Sequence, residues 1–162
     1  MQIFDAYIVG YNPKHTAQPF IHKLNILTTN RESIPVRANF DNGVLINAMS
    51  ITKFNNIKHQ LGHHRPSSRW LRMANGAIVK AKAVWEGEIE IKGVRTHNSF
   101  EVFDSGDNWE FLFGKPLLAA FNATHEYKND TVMVESRGAT TVLKNQVNQN
   151  QTTIWDSQAE EE

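Results

Sequence analysis

Asp41-Asn42-Gly43 stands where a run of alternating apolar residues ends. Ile34, Val36, Ala38 and Phe40 alternate with Pro35, Arg37 and Asn39, and a second apolar run, Val44-Leu45-Ile46, follows the glycine. An aspartate at such a junction either accepts neighbouring backbone N–H groups in a turn or presents a carboxylate for acid–base chemistry. Taken alone, the triplet reads as turn chemistry. His59, His63 and His64 form a second group, and a four-residue spacing on a helix would put His59 and His63 on one face as metal ligands. Gly62 interrupts, Pro66 follows and no third ligand is near, so a solvated loop is the better reading and no metal or cofactor is expected. Arg65, Arg69, Trp70 and Arg72 would suit phosphate pairing and base stacking. A strand with Trp70 and Leu71 buried explains them more simply, and Trp85 and Trp109 read as core or barrel-edge residues.

Composition narrows the classes. The 162 residues contain 17 Lys+Arg and 17 Asp+Glu, a formal net charge of zero that argues against a nucleic-acid binder. The signs separate along the chain: 13 basic against 6 acidic residues up to Ser99, then 4 against 11. Solvated surface charge is the plainer explanation, although the two halves could attract one another between subunits. Cysteine is absent, which excludes disulfides, thiolate zinc sites and thiol nucleophiles. No apolar run is long enough for a membrane span, and residues 1–10 do not read as a signal peptide. An intracellular protein, cytoplasmic or nuclear, is expected, with the Asn-x-Thr triplets at Asn122, Asn129 and Asn150 unused.

The elements that must position these residues are mostly short strands. Residues 20–28 and 34–40 alternate, and residues 70–73 and 78–85 flank Ala74-Asn75-Gly76-Ala77. Asn-Gly between extended runs predicts a hairpin with both central residues at positive φ. Residues 88–92, 100–103 and 109–113 are further strands, and 131–134 is expected to be the last. Gly114-Lys115-Pro116 then opens Leu117-Leu118-Ala119-Ala120-Phe121, a short helix with proline in its first turn. The expected architecture is all-β, a barrel or a sandwich, with a single late helix. Residues 1–19 are an extension or extra strand, 20–135 the domain and 136–162 a polar tail expected to be disordered.

Three segments in this order resemble a known family: Ala38-Asn39-Phe40-Asp41-Asn42-Gly43-Val44-Leu45-Ile46-Asn47, then Leu71-Arg72-Met73-Ala74-Asn75-Gly76. Phe100-Glu101-Val102-Phe103 with Phe111-Leu112-Phe113-Gly114-Lys115-Pro116-Leu117-Leu118 completes the set. The chain resembles the retropepsin-like aspartic protease domains of LTR-retrotransposon polyproteins and their domesticated, notably fungal, relatives. The resemblance implies an all-β fold, a closed acid-protease barrel with one short C-terminal helix, with Asp41 catalytic and Asn42, Gly43 and Val44 completing the active-site loop. It implies a flap at Ala74, Asn75, Gly76, Ala77 and Ile78, and a barrel segment, Phe113-Gly114, beside the active site. Apolar subsites would come from Val44, Ile46, Ala77, Ile78 and Phe113, with Trp109 at the groove.

Such chemistry uses two carboxylates, one to deprotonate water and one, protonated, to polarise the carbonyl. With one motif per chain, the resemblance implies a homodimer contributing Asp41 twice, acting on extended peptide or polyprotein substrates. Asn42 replaces the family's Ser or Thr, and Val44 its usual small residue. The alternative is therefore a catalytically inactive relative serving dimerisation or peptide binding; a third possibility is an unrelated β-barrel binding module.

Overall fold

The computed structural model describes residues 3–5, 18–73, 75–106 and 108–148. Ala74 of the expected flap, and the tail beyond residue 148, lie outside the described residues. In chain order the strands are β1 (Ile3–Asp5), β2 (Phe20–Leu27), β3 (Ser33–Phe40) and β4 (Ala48–Ser50), followed by helix α1 (Ile51–Ile57). Next come β5 (His64–Pro66), β6 (Trp70–Arg72), β7 (Ile78–Lys80), β8 (Ala83–Ile91), β9 (Val94–Phe103) and β10 (Phe111–Phe113). Helix α2 (Lys115–Ala120) leads to β11 (Thr124–Glu126), β12 (Thr131–Ser136) and β13 (Ala139–Lys144).

Strands β2-β3-β10-β4-β9-β8 form one sheet that closes on itself through β2–β8 pairing, and β5 extends it beside β8. Alternation explains the register. Leu24, Ile26, Val36 and Ala38 point inward, and β2 pairs antiparallel with β3 from Phe20↔Phe40 to Leu27↔Ser33. The core is strongly aromatic: Trp85 stacks on Phe100, whose ring meets Phe111 at 4.8 Å. Phe113 stacks between Phe40 and Phe121 at 4.0 and 5.6 Å, which ties β3, β10 and the end of α2 into one column.

Two departures from the sequence expectation concern short elements. Helix α1 was not expected, because seven residues with Phe54 and Ile57 inward are too few for a helical period to register. Ser50 caps it, its hydroxyl accepting from the Lys53 amide at 3.1 Å. The hairpin between β6 and β7 also closes one residue earlier than a two-residue Asn-Gly loop would. Gly76 N–H donates to Met73 O at 2.9 Å, Met73 N–H donates to Ala77 O, and Asn75 Oδ1 accepts from Ala77 N. The positive φ falls on Gly76, at 86°.

The boundary expected at 135 is corrected. The chain turns at Arg137-Gly138, both at positive φ, and returns as β13, paired with β12 from Ser136↔Ala139 to Thr131↔Lys144. An Arg-Gly turn carries a weaker signal than Asn-Gly, and Thr-rich β13 looks polar until Leu143 is seen fully buried against the barrel. Arg137 also makes a bidentate pair with Glu88 of β8, at 2.7 and 2.8 Å. Beyond β13, Asn145 and Gln146 cover the edge of β2: Asn145 Oδ1 accepts from Ile21 N, and Gln146 Oε1 from Lys23 N. Among the described residues no helix is long and apolar enough to cross a membrane.

A disordered tail would tolerate any change at residue 143. Leu143→Ala is instead expected to cost about 2–4 kcal/mol, read as a lower urea midpoint with unchanged slope. A variant as stable as the parent would remove β13 from the fold.

Candidate active site

The loop of residues 41–47 leaves the end of β3 and returns as β4, with β10 inserted between the two strands. β10 runs parallel to β3 (Phe113↔Phe40) and antiparallel to β4 (Leu112↔Ala48). The Asp41 amide donates to Phe113 O at 2.9 Å, and Lys115 N donates to Val44 O at 2.8 Å. Between these bonds lies Gly114, where a Cβ would sit 1.8 Å from the Ile46 carbonyl oxygen and 3.1 Å from that of Val44. Only glycine lets the two backbones pass so closely.

Asp41 is 8% exposed. Its Oδ1 accepts from Gly43 N at 2.9 Å, whereas Oδ2 has no hydrogen-bond partner among the described residues. Burial pushes the carboxyl above the ordinary aspartate range, opposed in part by the Gly43 N–H, which favours the anion. The acid borders a cleft of about 430 Å³ whose walls include Phe20, Phe40, Asn42, His125 and Tyr127. On the far wall His125 Nε2 lies 2.8 Å from Asp130 Oδ1, and Asp130 Oδ2 accepts from Asn145.

The other expected residues divide by position. Asn42 is exposed beside Asp41, and Val44 is fully buried in a second core with Ile46, Leu71 and Phe103. Met73, beside the turn of the β6–β7 hairpin, and Val79 of β7 pack against that same core. The hairpin therefore stands on the loop that carries Asp41. Its tip does not reach the Asp41 cleft: Asn75, Gly76, Ala77 and Ile78 are exposed and do not line it. Of the five expected subsite residues, Val44, Ile46 and Phe113 are corrected to core, since each is at most 2% exposed. Trp109 sits edge-on to Phe103 at 5.4 Å, and Trp85 is core.

The histidines do not converge. His59 ends up exposed on a 3-10 turn, His63 in a left-handed bend and His64 edge-on to Phe54. Among the described residues no group of three or more His, Asp and Glu side chains is placed to hold a metal. Arg65 and Arg69 pair with Glu86 and Glu101, at 3.9 and 3.3 Å.

Two positioning residues escaped the sequence reading. Asn47, 3% exposed, accepts from Leu117 N at 3.0 Å, capping α2 where Gly114 has no side chain to do so. Its amide donates to Ser99 O at 3.1 Å, so one side chain joins the loop, β9 and α2. Glu101, 4% exposed, accepts from the Ser67 hydroxyl at 2.7 Å. Both interrupt apolar runs, Val44-Leu45-Ile46-Asn47-Ala48 and Phe100-Glu101-Val102, and a polar residue inside a buried run was the available signal.

No family profile and no curated protein matches the sequence. Among solved structures, the chain is similar to the retroviral protease-like domain of Ddi1 from Leishmania major. The TM-score is 0.55 and the identity 10%, covering 80% of this chain and 95% of that one. The fold is retropepsin-like: a closed six-stranded barrel with a short helix after its last barrel strand.

Gly114→Ala is expected to lose at least about 4 kcal/mol, or to fail to fold, because the added Cβ meets backbone rather than a side chain that can turn away. Asp41→Asn should do the reverse at neutral pH. Asp41 ionises at lower pH in the unfolded chain than in the folded one, so stability falls as pH rises through that window, and the cost persists above it. The amide still accepts from Gly43 N and carries no charge. Urea unfolding should show the variant more stable than the parent at about pH 7 and nearly equal at about pH 3. A less stable variant at neutral pH would reverse the assigned sign.

Proposed function

We propose that the protein is a retropepsin-like aspartic endopeptidase that works as a homodimer on extended peptide segments. The observation that carries the reading is the Asp41 carboxylate. It is buried, held by one oxygen to Gly43 N–H, unpartnered at the other among the described residues, and bordered by an open cleft. A second copy about a two-fold axis supplies the second carboxylate. Two such groups in hydrogen-bonding contact share one proton, since both cannot ionise together.

The ionised Asp41 takes a proton from water as its oxygen attacks the scissile carbonyl carbon. The protonated Asp41 of the pair donates a hydrogen bond to the carbonyl oxygen as charge builds there. Collapse of the tetrahedral intermediate breaks the C–N bond, and the proton taken from water leaves on the amine. Asn42, exposed beside the carboxylate, can both donate and accept across the two-fold axis. Val44 is accommodated by packing under Leu71, so its bulk leaves the loop intact. The β6–β7 hairpin would close over bound peptide, with polyprotein junctions as the substrate class that the family resemblance supports.

Asn42 also favours a second reading, a dimer that binds peptide without cutting it, because an amide stands where the family has a hydroxyl. A peptide library incubated between about pH 4 and 7 is expected to be cut fastest at the acid end, where one carboxyl of the pair is protonated. Asp41→Asn should remove at least about a thousandfold of that rate while the fold persists. Asn42→Thr should hold or raise it. If the natural chain cuts nothing and Asn42→Thr gains cleavage, the second reading holds. If both are silent, or sedimentation shows only monomer at tens of micromolar or about that range, the peptidase reading fails.

A further inference from the structure

The β6–β7 hairpin is not a free two-stranded ribbon. β1 lies along the outer edge of β6, parallel to it, with Ile3↔Trp70, Phe4↔Leu71 and Asp5↔Arg72 in register. Phe4 is half-buried against the second core, whose members include Val44, Ile46 and Leu71. The Arg69 guanidinium lies over the Phe4 ring, 4.7 Å from its centre. That guanidinium is itself held: Glu101 Oε2 is 3.3 Å away, and Glu101 Oε1 accepts the Ser67 hydroxyl. Glu101 N in turn donates to Asn47 O at 2.9 Å. A buried carboxylate thus orients a cation toward an aromatic ring, on a scaffold shared with the Asp41 loop. The groove that Phe4 borders, about 470 Å³, also takes in Leu45, Ile46 and Pro116.

We propose that β1 is a self-ligand: Ile3–Asp5 occupies in cis a strand-accepting edge of the hairpin that also takes an extended peptide in trans, with an aromatic side chain in the Arg69–Glu101 socket. A strand edge supplies main-chain hydrogen bonds to any extended peptide, and a side-chain socket supplies the selectivity. β1 is three residues long and parallel, a pairing weaker per residue than antiparallel, so it is displaceable. Its attachment to the chain gives it the advantage over any free competitor. The proposal rests on the peptidase reading only for its consequence, that a peptide seated there runs beside the loop carrying Asp41 and that β1 restrains its entry.

The test uses the full chain and a fluorescein-labelled synthetic peptide of residues 1–8 as probe. Phe4→Ala, which empties the socket, should bind the probe about tenfold or more tightly than the parent does. Amide exchange at residues 70–72 should quicken in Phe4→Ala and slow again when the probe is added. A probe with its own phenylalanine changed to alanine should bind several-fold more weakly, on the order of the cation–π and burial loss. In a chain without cysteine, Ile3→Cys with Trp70→Cys forms a single disulfide across the register pair. Oxidised, that variant should bind no probe; reduced, it should bind it. Unchanged exchange at 70–72 in Phe4→Ala, no renewed protection with probe, or probe binding indifferent to the disulfide would each overturn the proposal. Should Phe4→Ala lose protection throughout β8 and β9, the disulfide pair alone decides. All readouts are binding or exchange, so a chain that cuts no peptide still gives the answer, and cleavage without probe binding sinks this proposal alone.

Discussion

Two backbones pass within contact distance at Gly114, and the placement of Asp41 depends on that crossing. β10 is wedged between β3 and β4, so the chain leaving β3 must travel around the end of β10 before it can return as β4. The amide of Asp41 and the carbonyl of Val44 are both spent on β10 and its extension, and the carbonyl of Ile46 faces Gly114 directly. The loop therefore has little freedom. Its one acid is held at the barrel end with an oxygen on Gly43 and the whole side chain mostly out of water. A carboxylate in that setting keeps its proton to higher pH than an exposed one does, which suits a pair sharing a single proton.

Around the crossing, buried polar side chains do the joining that apolar packing cannot. Packing is non-directional, and Phe40, Phe113 and Phe121 would stack over a range of small displacements. Asn47 and Glu101 impose direction. The first fixes where α2 begins relative to the loop, and the second ties β9 to the segment entering β6. Since each is nearly fully buried, losing a partner would leave a polar group without water to replace it. Position is thereby set to hydrogen-bond precision near the carboxylate, while the rest of the barrel relies on shape.

The separation of charge along the chain acquires a local meaning in the fold. Arg69 of the basic half meets Glu101 of the acidic half, whereas Arg137 and Glu88, each of the minority sign in its half, meet between the β12–β13 turn and β8. The Arg137 hydrogen bonds hold the Glu88 carboxyl below its usual range. Most of these pairs are exposed and contribute little to stability. The Arg69–Glu101 pair differs, because its carboxylate is buried and its guanidinium carries an aromatic ring.

Period-2 alternation in residues 20–28 and 34–40, the apolar-aromatic run ending in Gly114, and proline ahead of Leu117 were enough to read an all-β domain, barrel or sandwich, with a late helix. These are local signals, set by which faces must leave water. The family resemblance chose the closed barrel. The Asp41-Asn42-Gly43 triplet was legible by itself only as a turn, and it became a candidate site through the order of the three segments that carry the family resemblance. Helix α1 and strand β13 were not legible, one too short for its period and the other turned by Arg-Gly instead of Asn-Gly. The subsites were misread because Val44, Ile46 and Phe113 look equally apolar whether they face a ligand or a core; the second cluster beneath the hairpin takes in Val44 and Ile46, and the main barrel core takes in Phe113. Asn47 with Leu117 lies 70 residues apart, and Phe4 with Arg69 and Glu101 spans the first hundred. Contacts at that separation are created by the closure of the barrel, and no local pattern encodes which polar residue will find which partner.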